Sequence, residues 1–141
     1  TINPSAIFTC DAKTCNVLAS QVKIAEGLIV PMLDARRMEV YSAIFNSKLE
    51  KQREVKAEVI AENSFETINE TIYFVGDCAD KCQSVLTKSN FIFLEEVKYP
   101  SAKEMSSLSF YKFQNSDFED VAYFEPYYLK DFMITTSKKV G

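Results

Sequence analysis

The stretch Leu28-Ile29-Val30-Pro31-Met32-Leu33-Asp34-Ala35-Arg36-Arg37-Met38-Glu39-Val40-Tyr41-Ser42-Ala43-Ile44-Phe45 reads as strand, tight turn, strand. The first run is apolar on both faces apart from Pro31, and the second is apolar at nearly every position, with Glu39 as its one charged member. Side chains alternate along a strand, so a run apolar at successive positions is covered on both sides and belongs inside a layered α/β sheet. Four charges stand in that apolar setting: Asp34, Arg36, Arg37 and Glu39. Charges beside a buried strand are costly unless paired, so they pair with one another or face a partner or ligand.

Working outward, Thr9 or Asp11 is placed to cap a helix running to about Ala25, with Cys15, Leu18, Val22 and Ala25 on one face and Gly27 as its stop. Strands are expected at 28–33 and 38–46. The alternating charged and apolar run 52–60 predicts a half-exposed strand pairing back on 38–46. Asn63 or Ser64 opens a short predicted helix to Asn69. A buried strand over 71–75 is followed by Gly76, a helix from Ala79 to Leu86 and a strand over 90–94. Ser101 with Glu104 three residues later has the capping-box pattern for a further helix, broken at 115–117. The remaining tail holds Tyr123, Phe124, Tyr127, Tyr128 and Phe132. These aromatics are expected to pack on the sheet or an adjacent helix, or to form a protein interface, rather than a base-stacking platform, because Lys130 is their one interleaved cation.

The chain has 141 residues, 47% of them apolar, and a net charge of −4. That composition fits a single α/β domain spanning 1–141 and disfavours disorder throughout. Without a Lys/Arg-rich run, autonomous nucleic-acid binding is disfavoured. No apolar stretch approaches the roughly 20 residues needed to span a bilayer. Thr1-Ile2-Asn3-Pro4 has neither the pattern of a signal peptide nor a starting Met, which fits a processed or cut chain in the cytoplasm. Cys10, Cys15, Cys78 and Cys82 lack the Cys-x2-Cys spacing of zinc ribbons, so reduced, packed thiols are expected and no metal or cofactor. The chain has no histidine, which removes any Ser-His or Cys-His arrangement from within it.

Asp34-Ala35-Arg36-Arg37-Met38-Glu39-Val40-Tyr41 resembles the Asp-Ala-Arg-x-x-Glu-Val-Tyr signature of the TsaB (YeaZ) family, and is most similar to its Bacteroidetes form. Downstream, Phe124-Glu125-Pro126-Tyr127-Tyr128-Leu129-Lys130 resembles the family's closing Glu-Pro-x-Tyr-Leu-Lys/Arg segment, so Glu125, Pro126, Tyr128 and Lys130 are its motif residues here. The helix beginning Thr14-Cys15-Asn16-Val17-Leu18-Ala19 is similar to one that precedes the signature strand. The resemblance covers roughly residues 14–135 and corresponds to the second half of a family member. It implies a mixed sheet with flanking helices, the second lobe of an actin-like ATPase, ribonuclease-H-like fold.

The same resemblance implies a non-catalytic partner or scaffold subunit of the complex that makes threonylcarbamoyladenosine at position 37 of tRNA. Its implied partners are TsaD-like and TsaE-like proteins, with tRNA met only indirectly, no membrane, and room for a homodimer. The alternatives are a glycoprotease-like hydrolase, following the family's older label, and a stand-alone α/β interaction module.

Two local readings complete the set. Val75-Gly76-Asp77-Cys78-Ala79-Asp80-Lys81-Cys82 invites a phosphate-loop reading, but such loops need several glycines, and Asp77 puts negative charge where phosphate would sit. A structural turn is the expectation, with Cys78 standing where the family often has a second glycine. Asp34, Arg36, Arg37 and Glu39 are either an internal charge cluster or a contact surface for a partner or tRNA phosphates.

Overall fold

The structure is a computed structural model and describes residues 12–118 and 120–123. It contains helix α1 (Ala12–Ser20), strands β1 (Leu28–Asp34), β2 (Glu39–Asn46), β3 (Lys51–Val59) and β4 (Ile72–Val75), helix α2 (Ala79–Gln83), strand β5 (Phe91–Phe93) and helix α3 (Ala102–Gln114). The five strands form one sheet in the order β3-β2-β1-β4-β5. The first three are antiparallel neighbours, while β1, β4 and β5 run parallel, so the sheet is mixed.

β1 lies at the centre and is covered on both sides, as its apolar run requires. Val30 and Met32 join β2, β4 and α2 side chains in one core, with Phe74 at its middle, edge-on to Phe65 and Phe91 and stacked on Phe93. Ile29 joins Phe45, Val75, the inner face of α1, namely Cys15, Leu18 and Ala19, and Val22 just beyond that helix in the other. The α/β class and the sheet with helices on its faces agree with the sequence.

Proline has no backbone N–H and is normally kept out of central strands. Pro31 is nevertheless fully buried in β1. The β1–β2 ladder passes from the Ile29–Phe45 pair to the Met32–Ser42 pair without pairing Val30 or Pro31. β3 carries its register shifts against the same part of β2, between Ser42 and Phe45.

Three boundaries differ from the expected ones. α1 ends at Ser20 rather than near Ala25, because Gln21 and Val22 donate to the carbonyls three residues back and Ser20 Oγ takes the carbonyl of Val17. Val22 still enters the core, but Ala25 is exposed. The helix expected over 63–69 is a series of turns: Phe65 sits at φ 61°, a left-handed conformation that no helix continues through. α2 stops at Gln83, three residues short of Leu86, although Leu86 N still donates to Cys82 O and its side chain is buried.

The cap on α3 is present, with Ser101 Oγ accepting from Lys103 N at 3.2 Å. Tyr123 is 83% exposed, so of the two expectations for the tail aromatics it does not meet the one of packing on the sheet or an adjacent helix. Phe124, Tyr127, Tyr128, Phe132 and the motif residues Glu125, Pro126 and Lys130 lie outside the described residues, as do Thr9, Cys10 and Asp11.

Candidate functional site

β1 and β4 are parallel neighbours, so their carboxyl ends emerge side by side, where open α/β sheets commonly place ligands. β1 delivers Asp34 to that edge, and β4 delivers Gly76 and Asp77. Gly76 has φ 116°, and a Cβ there would stand 1.9 Å from the Met32 carbonyl oxygen. Its N–H donates to Val97 O at 2.8 Å. The one glycine of this turn is therefore used to lay the chain on β1, and its amide is not offered to an anion.

The side chains beyond Gly76 close the arrangement. Asp77 Oδ1 accepts the backbone N–H of Asp34 at 3.1 Å. Asp34 Oδ1 accepts Arg36 N at 3.2 Å and also takes Lys81 Nζ as its ion-pair partner. Lys81 Nζ bonds the Arg37 carbonyl at 2.6 Å as well. The Lys81 ammonium holds the Asp34 carboxyl below its ordinary value, helped by the Arg36 amide against a small effect of burial. Burial alone would lower Lys81, but Asp34 outweighs it and the ammonium is held above its ordinary range.

The sequence reading grouped Asp34 with Arg36, Arg37 and Glu39. The structure links all four through Lys81 and through backbone groups. Arg36 and Arg37 stand at φ 81° and 54°, and both are exposed. Glu39 is half-buried at the start of β2, its N–H donating to Arg36 O at 3.1 Å and its carbonyl accepting from Ala35 N at 3.1 Å. The hairpin is thus pinned to the β4–α2 corner, and both of its arginines are exposed.

Cys15, Cys78 and Cys82 are free and buried. The Cys78 and Cys82 thiols share a hydrogen bond across one turn. That bond holds Cys82 below the usual thiol range, with Lys81 assisting against burial; the same bond, with burial, pushes Cys78 well above it. Among the described residues, no group of three or more Cys, Asp or Glu side chains is arranged to hold a metal ion.

A second polar constellation escaped the sequence reading. Ser42, fully buried on β2, donates to Glu58 Oε1, and Arg53 Nη2 reaches both Ser42 Oγ and Glu58 Oε1 at 2.5 Å. Lys56 pairs with the other Glu58 oxygen at 3.0 Å, and the Arg53 guanidinium lies 5.4 Å from the Phe65 ring centre. Burial would raise the Glu58 carboxyl, but Ser42, Lys56 and Arg53 together hold it below its ordinary value. A serine bonded to a carboxylate has the parts of a nucleophile and base. Ser42 has no exposed surface, however, and a carboxylate held ionised by two cations is a weak base, so the constellation is built for holding β3 on β2.

A groove of about 600 Å³ lies between the segment after α1 and the ends of β4 and β5, lined by Lys23, Glu26, Tyr73 and Glu96 among others. Its charges are of both signs and all on the rim.

No protein-family profile matches the chain, and no curated protein does. Among solved structures, the chain is similar to an uncharacterized protein from Pseudomonas aeruginosa, described as having similarity to the peptidase YeaZ. The TM-score is 0.64 at 14% identity, over 83% of this chain and 56% of that one. The chain therefore spans little more than half the length of that protein. At that identity the likeness shows the fold: a YeaZ-like α/β fold, consistent with the actin-like, ribonuclease-H-like class.

Proposed function

We propose that this chain acts as a non-catalytic partner or scaffold subunit in the formation of threonylcarbamoyladenosine at position 37 of tRNA. The YeaZ-like fold supports the reading, together with the signature-like segment 34–41. The observation that carries it is the hairpin turn itself: Asp34, Asp77 and Lys81 hold the backbone, and the arginines at 36 and 37 are turned outward in left-handed conformations that a purely structural turn would give to glycine. Outward guanidinium groups fit carboxylates or phosphates on a partner. The partners are TsaD-like and TsaE-like proteins, with tRNA reached through them.

The test is retention of a TsaD-like protein from the same organism on the immobilised chain, followed by Arg36→Ala and Arg37→Ala. Retention lost in either variant supports the reading. No retention by the unaltered chain overturns it and favours a stand-alone α/β interaction module. The description of the structural neighbour as similar to a peptidase favours a second reading, a glycoprotease-like hydrolase. Turnover of casein or a glycoprotein by the purified chain, abolished by Ser42→Ala, would establish that reading instead.

A further inference from the structure

Beyond the subunit role, and independently of it, we infer that Cys78 and Cys82 are a redox modification site, joined in a disulfide across the first turn of α2 by a small hydroperoxide. The two residues are four apart, so a helical turn sets them on one face, one above the other. Cys82 N donates to Cys78 O at 3.2 Å, which closes that turn, and the two thiols share a hydrogen bond. Both belong to the core that contains Met32 and Phe74, whereas Cys15 lies in the other one, with Phe45. Cβ atoms one turn apart are about 5–6 Å from each other, and a disulfide needs about 3.5–4.5 Å. The backbone must therefore close in slightly, and α2 is built to allow it. The helix has only five residues, and Cys78 stands just before it at φ −111° and ψ 8°, with no side-chain bond capping the helix.

The two sulfurs have different roles. The hydrogen bond from Cys78, assisted by Lys81, makes Cys82 the more readily ionised thiol, while Cys78 keeps its proton. Cys82 Sγ attacks one peroxide oxygen and the O–O bond breaks. The other oxygen leaves as hydroxide and takes up the proton that Cys82 gave up, so water departs and Cys82 is a sulfenic acid. Cys78 Sγ then attacks the Cys82 sulfur. The S–S bond forms, the S–O bond breaks, and the Cys78 proton leaves with the hydroxyl as a second water. The two thiols have lost two electrons and the peroxide has gained them.

Burial selects the oxidant. Cys78 is 2% exposed and Cys82 0%. Hydrogen peroxide is close to water in size and enters through local opening of a short helix, whereas a disulfide the size of oxidised glutathione is kept out. The modification also has a mechanical consequence, because Lys81 lies inside the bridged segment. Its ammonium holds the Asp34 carboxylate and the Arg37 carbonyl. Drawing the turn together moves Lys81 off both, and the β1–β2 hairpin is released.

The experiment exposes the reduced 141-residue chain to hydrogen peroxide and follows intact mass and tryptic peptides. The expected result is the loss of two hydrogens, reversed by dithiothreitol. Trypsin cuts after Lys81, so the bond is seen as a link between peptides 57–81 and 82–88. Oxidised glutathione at the same concentration leaves the native pair reduced. In the linked chain, amide exchange at Ala35 and Glu39 rises about fivefold, the most that losing a partly exposed ion pair allows. Cys78→Ala halts the reaction at a sulfenic acid on Cys82, captured by dimedone, and Cys82→Ala gives no dimedone adduct at Cys78. Where either variant fails to fold, the peptide link in the unaltered chain decides. A native chain that forms no such link, or forms it only after denaturation, overturns the inference, as does preferential linkage to Cys10 or Cys15. A linked chain whose Ala35 and Glu39 exchange as before overturns the release of the hairpin.

Discussion

Lys81 closes the β1–β2 hairpin from outside it: its ammonium bonds the Asp34 carboxylate, 47 residues earlier in the chain, and the Arg37 carbonyl at 2.6 Å. Both side chains are partly exposed, so the bridge is worth no more than about 1 kcal/mol. Lys81→Met is expected to lower stability by less than that in urea unfolding, yet to speed hydrogen exchange at Ala35 and Glu39. A loss above about 3 kcal/mol would mean that the pair is buried. The Asp34 contribution is present above the ordinary carboxylate value of 3.8 and disappears as pH falls through the lowered one. The Lys81 contribution is complete below the ordinary 10.5 and disappears as pH rises through the raised one.

Gly76→Ala attacks the same corner through sterics. The added carbon has nowhere to go but the Met32 backbone, and its φ of 116° suits glycine alone. A cost of about 4 kcal/mol or more is expected, read as insoluble protein or a collapsed denaturation midpoint. A soluble variant melting within a few degrees of the parent would show that β4 is free to lift from β1.

Glu58 is the anchor of β3. Glu58→Ala leaves the half-buried Arg53 and the fully buried Ser42 without their carboxylate, and a loss of about 3 kcal/mol is expected. Glu58→Gln should differ most from the parent near neutral pH. The difference should shrink as pH falls below the ordinary 4.5, because the depressed carboxyl stabilises only while ionised. A difference that stays constant with pH would assign the effect to packing.

The left-handed arginines give an opposite sign. Arg36→Gly and Arg37→Gly each remove the steric penalty of a side chain at positive φ and are expected to raise stability by about 0.5–1 kcal/mol. The same variants should lose TsaD-like partner retention if the guanidinium groups make the contact. A fall in stability would show that the side chains hold the turn themselves.

Calorimetry with ATP and Mg²⁺ is expected to give no saturable heat in the micromolar range. The Gly76 amide is committed to Val97, and the chain's other glycines, Gly27 and Gly141, are far from this turn in sequence. A saturable signal that Lys81→Met abolishes would restore the nucleotide reading of the β4–α2 turn.

Much of the sheet was legible. Leu28–Leu33, Val40–Phe45 and Ile72–Val75 declare themselves because a strand covered on two faces must be apolar at consecutive positions. Phe65 shows where local reading stops: nothing in Asn63–Asn69 announces a phenylalanine at positive φ, which is held by its ring against Phe74. Arg53 and Glu58 show it again. They are five positions apart, which in a regular strand sets them on opposite faces, and the register shifts of β3 bring them together. Asp34 was visible as a charge in need of a partner, but Lys81 lies on a separate element, and no spacing rule links the two.

Pro31 divides the sheet along a line. Above it, Ile29 pairs with Phe45; below it, Met32, Leu33 and Asp34 pair with Ser42, Tyr41 and Val40; across it, β1 and β2 exchange no paired residues, and β3 changes register at the same level. The three strands therefore behave as two short ladders joined by a crease. On its other side β1 is continuous through this level, with Val30 paired to Phe74 and Pro31 to Val75. The lower ladder carries the hairpin with Arg36 and Arg37, and Asp77 and Lys81 tie that hairpin to the β4–α2 corner, so the strand that keeps its pairs with β1 at this level also leads into the residues that hold the turn.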